Sequence, residues 1–455
     1  MALLFCCTIV DMLALEATTR SIRRMRKGYK SFILLLTLIM LGGCGGSASD
    51  ADQNLLLTPD IAHSTATPFQ PQSGSIDSPY STPYNGSLPT PTLIPYLVVP
   101  KAIPVEENLF PTPPSSGYQG VPLFVPTTNT NPLTGLTAFD PELLERRPIA
   151  VKVTLFPRYV RPQSGLTLAD VVYEYYIEDG LTRFIAIFYG NNADMVGPVR
   201  SGRFFDEHIA RMYQALFVFK YADPRVYDYY KDSDLKEYLV VPGNGPCPPF
   251  KVGPDDRDTY NNIFFDTVRF KDCIARREGV ENTRPAVNGG FFSNILPKSE
   301  LIANRIFMEY SLDDYNYWEY LPDANRYLRY QEVDSQRNGK DASYAELTDA
   351  LTNLPVEAEN VVVIFAQHRF ANKFDEEDEV FHIDLYGSGN AYVFRDGLAV
   401  EASWERNYLD QPITLTSPQG APIYLKPGVT FYQVFGESSE SWQEGADWHF
   451  IWHHP

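Results

Sequence analysis

The chain is poor in the residues from which most thiol-based, metal-dependent and serine-based active sites are built. Its 455 residues include five cysteines and seven histidines, with no CxxC pair and no Cys/His spacing typical of a metal site. Ser201 lacks the glycine framing of a nucleophilic serine and is better placed to cap a helix. The sequence therefore predicts no metal and no cofactor. It offers no clear nucleophile, and whether the protein is an enzyme stays open.

Lysine and arginine are also scarce. The chain has 38 of them against 57 Asp and Glu, which gives a formal net charge of −19. Residues 1–43 carry six basic and two acidic residues, so the remainder of the chain is close to −23. An acidic body of this size excludes wholesale nucleic-acid binding, although it does not exclude a local basic pocket.

A short apolar run near the start follows a cluster of basic residues. Six Lys or Arg lie within residues 20–30, and residues 31–41 are mostly apolar. Such a run is too short to cross a hydrocarbon core of ~30 Å, which takes about 20 helical residues. The order is that of a secretory signal peptide, so we predict that residues 1–43 are removed on export. Met25 begins a better-proportioned signal than the first residue does, which makes residues 1–24 a candidate extension ahead of the true start.

A cysteine follows the apolar run in a pattern that resembles a lipobox. Leu41-Gly42-Gly43 precedes Cys44, and small residues there let a signal peptidase reach the backbone while the thiol receives diacylglycerol. The alternative is an ordinary signal peptide with a chance cysteine. We predict that Cys44 is lipidated, with acyl chains such as palmitate, and holds the protein on the extracytoplasmic face of the cell membrane.

The segment after this cysteine has the composition of a linker. Residues 45–130 contain 15 of the 36 prolines, many Ser and Thr, and few charges. Proline removes backbone donors and no apolar period is sustained, so we predict a disordered tether with polyproline II character. A flexible coil of this length would hold its ends roughly 50 Å apart. The lipidated cysteine and tether, residues 44–130, would thus lift a folded domain away from the membrane.

Beyond the tether, the hydrophobic pattern predicts regular structure. Helices are predicted at 201–216 and 264–277, and residues 223–258 form a predicted long loop rich in Pro, Gly and Asp. The predicted class is α+β, with a mixed N-terminal unit at 131–285 and a mainly antiparallel β C-terminal unit at 286–455. Strands are predicted at 149–156, 171–178, 182–189, 216–219, 306–310, 327–331, 360–365, 380–386, 392–395 and 429–435.

Two cysteines remain in the body of the chain, Cys247 and Cys273. An exported protein could pair them in a disulfide, because the compartment outside the cytoplasm is oxidising. Two free buried thiols are the equally weighted alternative.

Several short motifs follow one another in a familiar order. They are Asn131–Leu136, Arg161–Leu166, Ala169–Glu174, Gly180–Phe184, Gly197–Arg203, Gly387–Ala391, Val393–Gly397, Trp404–Arg406 and Leu425–Gly428. Together they resemble the bacterial YerB-like lipoproteins, a family of unknown function with N-terminal and C-terminal conserved units. The resemblance spans residues 131–436, and it implies an architecture and a membrane location but no reaction. The chain departs from the family at 219–223 and at Asn261-Asn262, where the family tends to carry histidine.

Four arginines form the sharpest candidate site, as an anion-binding cluster: Arg161, Arg183, Arg200 and Arg203. Arg200 and Arg203 are predicted at a helix start, where free N–H groups and a partial positive charge favour anions. Guanidinium forks beside such a terminus would form a cradle for phosphate or carboxylate. The alternative is that the arginines pair with Glu174, Glu178 or Asp170 and hold a strand-helix junction together.

Glu174 and Glu178 are the carboxylates expected to support this cluster, and they also raise the question of a glycosidase. Residues four apart on one strand lie roughly 13 Å apart, whereas paired catalytic carboxylates need about 5–9.5 Å. This spacing argues against a hydrolase built on these two glutamates alone. The histidine-bearing tail at 448–454 alternates like one face of a strand, so we predict a closing strand or a frayed terminus there and no metal site.

The sequence favours a membrane-anchored lipoprotein of the cell envelope that binds an envelope protein or an anionic cell-wall component without catalysis. The alternative is a hydrolase or transferase acting on an envelope glycan or phosphodiester polymer. Arginines lining a cleft with a carboxylate or histidine at ~3 Å would favour the enzyme. Arginines held in internal ion pairs would favour a binder that uses another surface.

Overall fold

The computed structural model describes residues 127–254, 260–287 and 290–455. The predicted signal peptide at residues 1–43, Cys44 and almost all of the predicted tether lie outside the described residues. Nowhere in the described part is a helix both long and apolar enough to cross a membrane.

β-Sheet is the main regular structure of the described chain, and its strands are numbered in chain order. The larger sheet contains β1 (Ile149–Thr154), β2 (Val171–Glu178), β3 (Leu181–Phe188), β4 (Leu216–Val218), β5 (Leu239–Val240), β8 (Leu301–Ile302), β14 (Asn360–Phe370), β15 (Phe381–Asp384), β16 (Gly387–Arg395), β17 (Leu398–Arg406), β18 (Thr414–Thr416) and β19 (Thr430–Gly436). The second sheet contains β9 (Arg305–Glu309), β10 (Tyr315–Leu321), β11 (Arg326–Glu332), β12 (Tyr344–Glu346), β13 (Glu357–Ala358), β20 (Glu440–Glu444) and β21 (Asp447–Ile451). A small sheet pairs β6 (Phe250–Val252) with β7 (Ile263–Phe265).

Helices are few and short in the described residues, so the fold is largely β. The α-helices are α1 (Asp206–Met212), α2 (Pro224–Asp232) and α3 (Thr267–Ile274). Single 3₁₀ turns occupy Pro141–Glu145, Arg158–Val160, Leu166–Leu168, Lys236–Tyr238 and Arg337–Gly339.

The larger sheet joins strands from both halves of the chain. Its order is β18-β17-β16-β14-β19-β2-β3-β1-β4-β5, and β19 runs parallel to both β14 and β2. All seven residues of β19 are buried, as expected for a central parallel strand covered on both faces. The predicted boundary at residue 285 therefore does not separate two sheets, and the division of the chain into two units there stays a prediction.

The second sheet packs through aromatic side chains on one face of the larger sheet. Trp318 of β10 lies edge-on to Phe431 of β19 at 4.8 Å between ring centroids. Trp448 of β21 contacts Tyr392 of β16 at 5.1 Å. Burial of these large rings is the main apolar contribution that holds the two sheets together.

The opposite face of the larger sheet is covered by α1 and its neighbours. Tyr173 of β2 stacks on Tyr432 of β19 at 4.5 Å, and its hydroxyl shares a 2.9 Å hydrogen bond with Tyr213, which follows α1. Phe205, just before α1, packs against Tyr175 at 4.3 Å. The described part of the protein thus has three layers, with the larger sheet in the middle.

Cys247 and Cys273 form a disulfide, with their Cα atoms 5.4 Å apart. The bond joins the loop before β6 to α3. Of the two alternatives left open by the sequence, the structure has the paired one.

The predicted helix at 201–216 is shortened at both ends. Arg200 N–H donates to the Lys152 carbonyl at 3.0 Å, and Gly202 N–H donates to the Tyr221 carbonyl at 3.0 Å. These bridges keep the chain extended until α1 begins at Asp206, whose carboxylate accepts from Arg203 N–H at 2.8 Å. Arg200 and Arg203 therefore precede a seven-residue helix, and neither they nor Ser201 forms its N-terminus as predicted.

The predicted loop at 223–258 contains regular structure that composition concealed. Asp223 caps α2 by accepting from Arg225 N–H at 2.9 Å, and Pro224 occupies the first helical position, where it is tolerated. The predicted helix at 264–277 begins later, because β7 extends to Phe265 and the side chain of Asp266 caps α3.

Candidate functional site

The structure divides the predicted arginine cluster among three surroundings. Arg183 and Arg203 meet Glu178 at the ends of β2 and β3. Arg200 lies against an aromatic ring, and Arg161 lies in a cleft on the second sheet.

Arg203 and Glu178 form a two-pronged ion pair. Arg203 Nε donates to Glu178 Oε2 at 2.6 Å, and its Nη2 donates to Oε1. Arg183 Nη2 lies 3.6 Å from the same carboxylate. Burial alone would raise the pKa of Glu178, but the two guanidinium groups together hold that pKa below its usual value.

Arg183 is the more buried of these two arginines. Burial, reinforced by the charge of Arg203, lowers the pKa of Arg183 to about 9. Its Nη1 donates to the Ser201 carbonyl at 3.1 Å, which ties β3 to the segment before α1.

Arg200 belongs to a cationic and aromatic group at the surface. Its guanidinium carbon lies 4.0 Å from the centroid of the Tyr260 ring, and Lys220 Nζ lies 4.9 Å from the same centroid. Tyr221 stacks on Tyr260 at 5.5 Å and has a φ of 66°, a left-handed conformation that bulky residues rarely adopt.

A buried lysine that the sequence analysis missed lies next to these arginines. Lys152 of β1 is wholly buried, and its Nζ donates to Asp206 at 2.9 Å and to the Tyr175 hydroxyl. Tyr175 also donates to Asp206, at 2.5 Å. Burial lowers the pKa of Lys152 to about 7, although the Asp206 carboxylate opposes this shift. The group anchors β1 and β2 to α1.

Glu174 lies on the other face of β2 from this lysine group, between the two sheets. Arg329 of β11 donates to its two carboxylate oxygens at 2.7 and 3.0 Å, and both side chains are fully buried. The Thr182 hydroxyl donates to the same carboxylate at 2.9 Å. Glu174 therefore joins the two sheets, with a partner that the sequence analysis did not foresee.

Arg161 lines a cleft of about 260 Å³ on the second sheet. Its Nη2 donates to Glu332 Oε1 at 2.6 Å, and its Nη1 donates to the backbone carbonyl of the same residue at 2.6 Å. Arg158 lies 3.5 Å from Glu332. The cleft is lined by Arg158, Arg161, Pro162, Gln331, Glu332, Val333, Ala345, Glu346, Leu347 and Thr348.

Carboxyl groups at and behind this cleft have perturbed pKa values. Burial and the neighbouring Asp314 raise the pKa of Glu332 to about 8. Burial raises the pKa of Asp314 to about 6. The amide of Gln331 donates to both carboxyl groups, and Asp314 also accepts from Thr182 N–H at 2.6 Å. Asp314 is therefore held behind the cleft by Thr182 of the larger sheet.

A row of aromatic rings crosses the solvent-facing side of the second sheet. The rings occupy facing positions on five neighbouring strands, and we call them the aromatic row: Trp442, His449, Phe307, Tyr317 and Tyr330. Successive centroids are 4.8, 4.9, 5.2 and 4.6 Å apart, and three of the four ring pairs are within 9° of parallel. Trp442 is 41% exposed and the other rings are partly exposed.

Two rows of mostly charged residues border the aromatic row. On one side Arg305 of β9 pairs with Asp447 of β21, at 3.1 Å between Nε and Oδ1. Glu346 of β12 faces Tyr330 at the end of the row. By strand register, the solvent-accessible acidic residues around the row are Glu309, Glu319, Glu346, Glu440, Glu444 and Asp447, and the buried Glu332 follows Tyr330 on the same side of β11.

Comparison with protein families decides which family this is. Residues 133–280 match the N-terminal domain, and residues 306–432 the C-terminal domain, of a protein of unknown function, DUF3048. The chain belongs to this family. The resemblance inferred from its motifs is therefore confirmed.

By sequence and by structure, this DUF3048 protein is similar to YerB of Bacillus subtilis. The chain is 27% identical over 284 residues to "Putative lipoprotein YerB" of strain 168, covering 60% of this chain and 77% of the relative. The crystal structure of the YerB protein superposes with a TM-score of 0.56 at 24% identity, over 67% of this chain and 96% of that one. The second comparison shows a shared fold.

In the described residues, no group of three or more His, Cys, Asp or Glu side chains is arranged to hold a metal ion. The sequence did carry a signal for one of the missed features. Lys152 is a lone charge inside the buried strand 149–154, and such a residue must find a partner.

Proposed function

We propose that the protein is a lipid-anchored extracytoplasmic protein that binds a component of the cell envelope without catalysis. Cys44 would carry the anchor, and residues 45–130 would set the folded part away from the membrane. The signal-like order of residues 20–44 and the lipoprotein name of the Bacillus subtilis relative support this location. The Cys247–Cys273 disulfide also supports it, because disulfides persist mainly outside the cytoplasm.

The observation that carries the binding function is the aromatic row. Exposed contiguous apolar surface is uncommon on soluble proteins and marks interaction sites. Tyr, Trp and Phe are also the residues in which protein interfaces are enriched. By contrast, Arg161, Arg183 and Arg203 are held by carboxylates or carbonyls of the protein itself.

Anion binding at the arginines stays part of the proposal as a second contact. Arg161, Arg183, Arg200 and Arg203 are its candidate residues, with Glu174 and Glu178 as their expected supports. In the structure Glu174 serves Arg329 instead, so Glu178 is the only one of these two carboxylates that supports the cluster. An anion at this site would have to compete with Glu178.

The second candidate function, a hydrolase or transferase, rests on the cleft at Glu332. A carboxyl group with a raised pKa in a cleft is a feature of general acids, and Arg161 lies within 2.6 Å of it. Both oxygens of Glu332 already accept hydrogen bonds, from Arg161 and from Gln331. This arrangement favours a structural role for Glu332, so we prefer the binding function.

The anchor is tested by Cys44→Ser. We expect the variant protein to leave the membrane fraction, since one thiol would carry the acyl chains. If Cys44→Ser stays with the membranes after a carbonate wash, the anchor lies elsewhere.

The binding function is tested by photo-crosslinking in intact cells. A benzoyl-phenylalanine at Tyr330 keeps a ring in the aromatic row, and the same side chain at Tyr408, which is 70% exposed in the loop after β17, is the control. We expect a discrete adduct from Tyr330 that Tyr408 does not give. Identical products at both positions, or none at Tyr330, would contradict the proposal.

A further inference from the structure

We infer that the aromatic row docks a partner protein through a surface on which apolar side chains are bordered by Lys or Arg. This inference rests on the proposed binding function and specifies the chemistry of its partner. It depends on two observations, the arrangement of the rings and the charge around them.

Neighbouring rings of the row are mostly stacked face to face across the strands. Trp442, His449 and Phe307 are parallel within 9°, and Tyr317 and Tyr330 are parallel within 3°. The faces inside the row are therefore covered by neighbouring rings, whereas Trp442, on the edge strand β20, stacks on a described ring through one face only. A sugar stacks on the flat face of a ring, so a row whose inner faces are covered is a poor platform for an extended glycan. Apolar protein side chains can pack against ring edges, and a partner ring can meet them edge to face.

The charge around the row indicates which kind of partner surface could dock there. Six carboxylates border it, and Arg305, the cation in its flanking positions, already pairs with Asp447. Arg158 and Arg161, in the cleft that Glu346 also lines, are paired with the buried Glu332. The stretch from residue 427 to 455, which supplies β20 and β21, has four acidic residues and no Lys or Arg. Like charges placed opposite one another at an interface are costly, whereas complementary charges steer partners together.

This charge pattern separates two other occupants from the one we infer. A second copy of the chain would bring the same carboxylates against themselves. An anionic wall polymer would be repelled by the same groups. A partner surface that carries Lys or Arg around an apolar centre would pack that centre against the rings. Its Lys or Arg would pair with the bordering carboxylates, which form the rim of the row.

The test uses the adduct formed from benzoyl-phenylalanine at Tyr330 in the full-length protein in cells. The variant combines Glu319→Gln, Glu346→Gln and Glu444→Gln, which removes three rim charges along the length of the row. The charge-matched control combines Glu401→Gln, Glu405→Gln and Asp410→Asn, on and beside β17. We expect the rim variant to give about tenfold less adduct, the scale of a few exposed ion pairs, and the control to match the parent.

High salt should lower the parent's adduct yield and leave that of the rim variant nearly unchanged, because exposed pairs are screened. The adduct should also be destroyed by protease and resist glycan-cleaving enzymes. An adduct that disappears with a glycan-cleaving enzyme, one with twice the mass of this chain, or a yield that stays equal or rises in the rim variant would overturn the inference. Absence of any adduct specific to Tyr330 would instead overturn the proposed function itself.

Discussion

The two faces of the second sheet use opposite chemistry in adjacent residues. On β11, Arg329 points inward, is fully buried and pairs with Glu174 of the larger sheet. Its neighbour Tyr330 points outward and ends the aromatic row. At these two positions a charge lies inside and an aromatic ring outside, the reverse of the usual distribution.

Residues on the inward face fix how the two sheets pack, whereas residues on the outward face remain available to bind a partner. A buried ion pair adds little net stability, but each partner becomes costly to lose once the other is buried. Arg329 and Glu174 therefore fix how the sheets meet. The outward rings bury little between sheets, so stability alone does not explain five of them in one line.

The largest effect is expected on the inward face. Arg329→Ala leaves the Glu174 carboxylate buried without its guanidinium, and we expect it to lower the free energy of unfolding by about 3–5 kcal/mol. Chemical denaturation of the purified protein measures this loss. The combined replacement Glu174→Gln, Arg329→Met should cost clearly less, because no charge is then stranded. Equal losses in the single and double variants would show that the pair does not act as a unit.

The next effect concerns pH and the cleft. The pKa of Glu332 is raised to about 8, above its usual value near 4.5, so the folded protein keeps a proton that the unfolded chain loses in between. Its contribution to stability is complete below pH 4.5 and is lost as the pH rises to about 8. Glu332→Gln lacks this titration, so its unfolding free energy should fall less with pH. The difference is at most about 3 kcal/mol between pH 5 and 7.

Unfolding curves of both proteins at several pH values provide the measurement. Asp314, whose pKa is raised to about 6, is expected to titrate in both proteins, so the comparison reports Glu332 together with its electrostatic interaction with Asp314. Parallel curves for the parent and Glu332→Gln would mean that the ion pair with Arg161 keeps Glu332 charged throughout.

A smaller effect is expected at the arginines. Arg203→Ala leaves Glu178 with only the 3.6 Å contact to Arg183, and we expect a loss of about 1–2 kcal/mol, reduced because Glu178 is partly exposed. If the cluster also binds anions, phosphate at a hundredfold excess over Kd should stabilise the parent by about 2.7 kcal/mol. Arg200→Ala should remove that gain. Thermal melts of the parent and of Arg200→Ala, with and without phosphate, measure this stabilisation. If phosphate does not stabilise the parent, the anion-binding hypothesis is wrong.

The sequence predicted individual strands better than it predicted their partners. Each of the ten predicted strands overlaps an observed one, because period-2 and apolar patterns are local properties. The helix at 201–216 failed because residues 200–202 form bridges to distant chain segments, which no local pattern records. Short elements such as α2 were hidden by their Pro and Asp content, although those residues are what caps them.

The candidate site shows the same limit. The Arg203–Glu178 pair was among the alternatives that the sequence allowed, since both residues lie near one strand-helix junction. The pairs Arg329–Glu174 and Arg161–Glu332 join residues more than 150 positions apart. Only the topology of the two sheets brings such residues together, and one sequence without structure does not contain that information.

The smallest effect on stability is expected where we expect the largest effect on binding. Tyr317 lies inside the aromatic row, between Phe307 at 5.2 Å and Tyr330 at 4.6 Å. Tyr317→Thr keeps a residue with high strand propensity and removes two cross-strand ring contacts, worth roughly 0.2–1 kcal/mol each. We therefore expect a loss of about 1 kcal/mol or less in the free energy of unfolding.

The same substitution should remove most of the adduct formed from benzoyl-phenylalanine at Tyr330, because it opens a gap in the continuous ring surface that a partner would cover. Trp318→Leu, at the next position on β10 but facing inward, is the matched control: it should cost more stability, through a large buried ring, and leave the adduct of the remaining folded protein unchanged. The outward substitution would then reduce binding with little loss of stability, and the inward substitution would reduce stability with no loss of binding. The opposite outcome is that Tyr317→Thr destabilises the protein as much as Trp318→Leu while the adduct persists. The aromatic row would then serve to stabilise the sheet, and the partner would bind elsewhere.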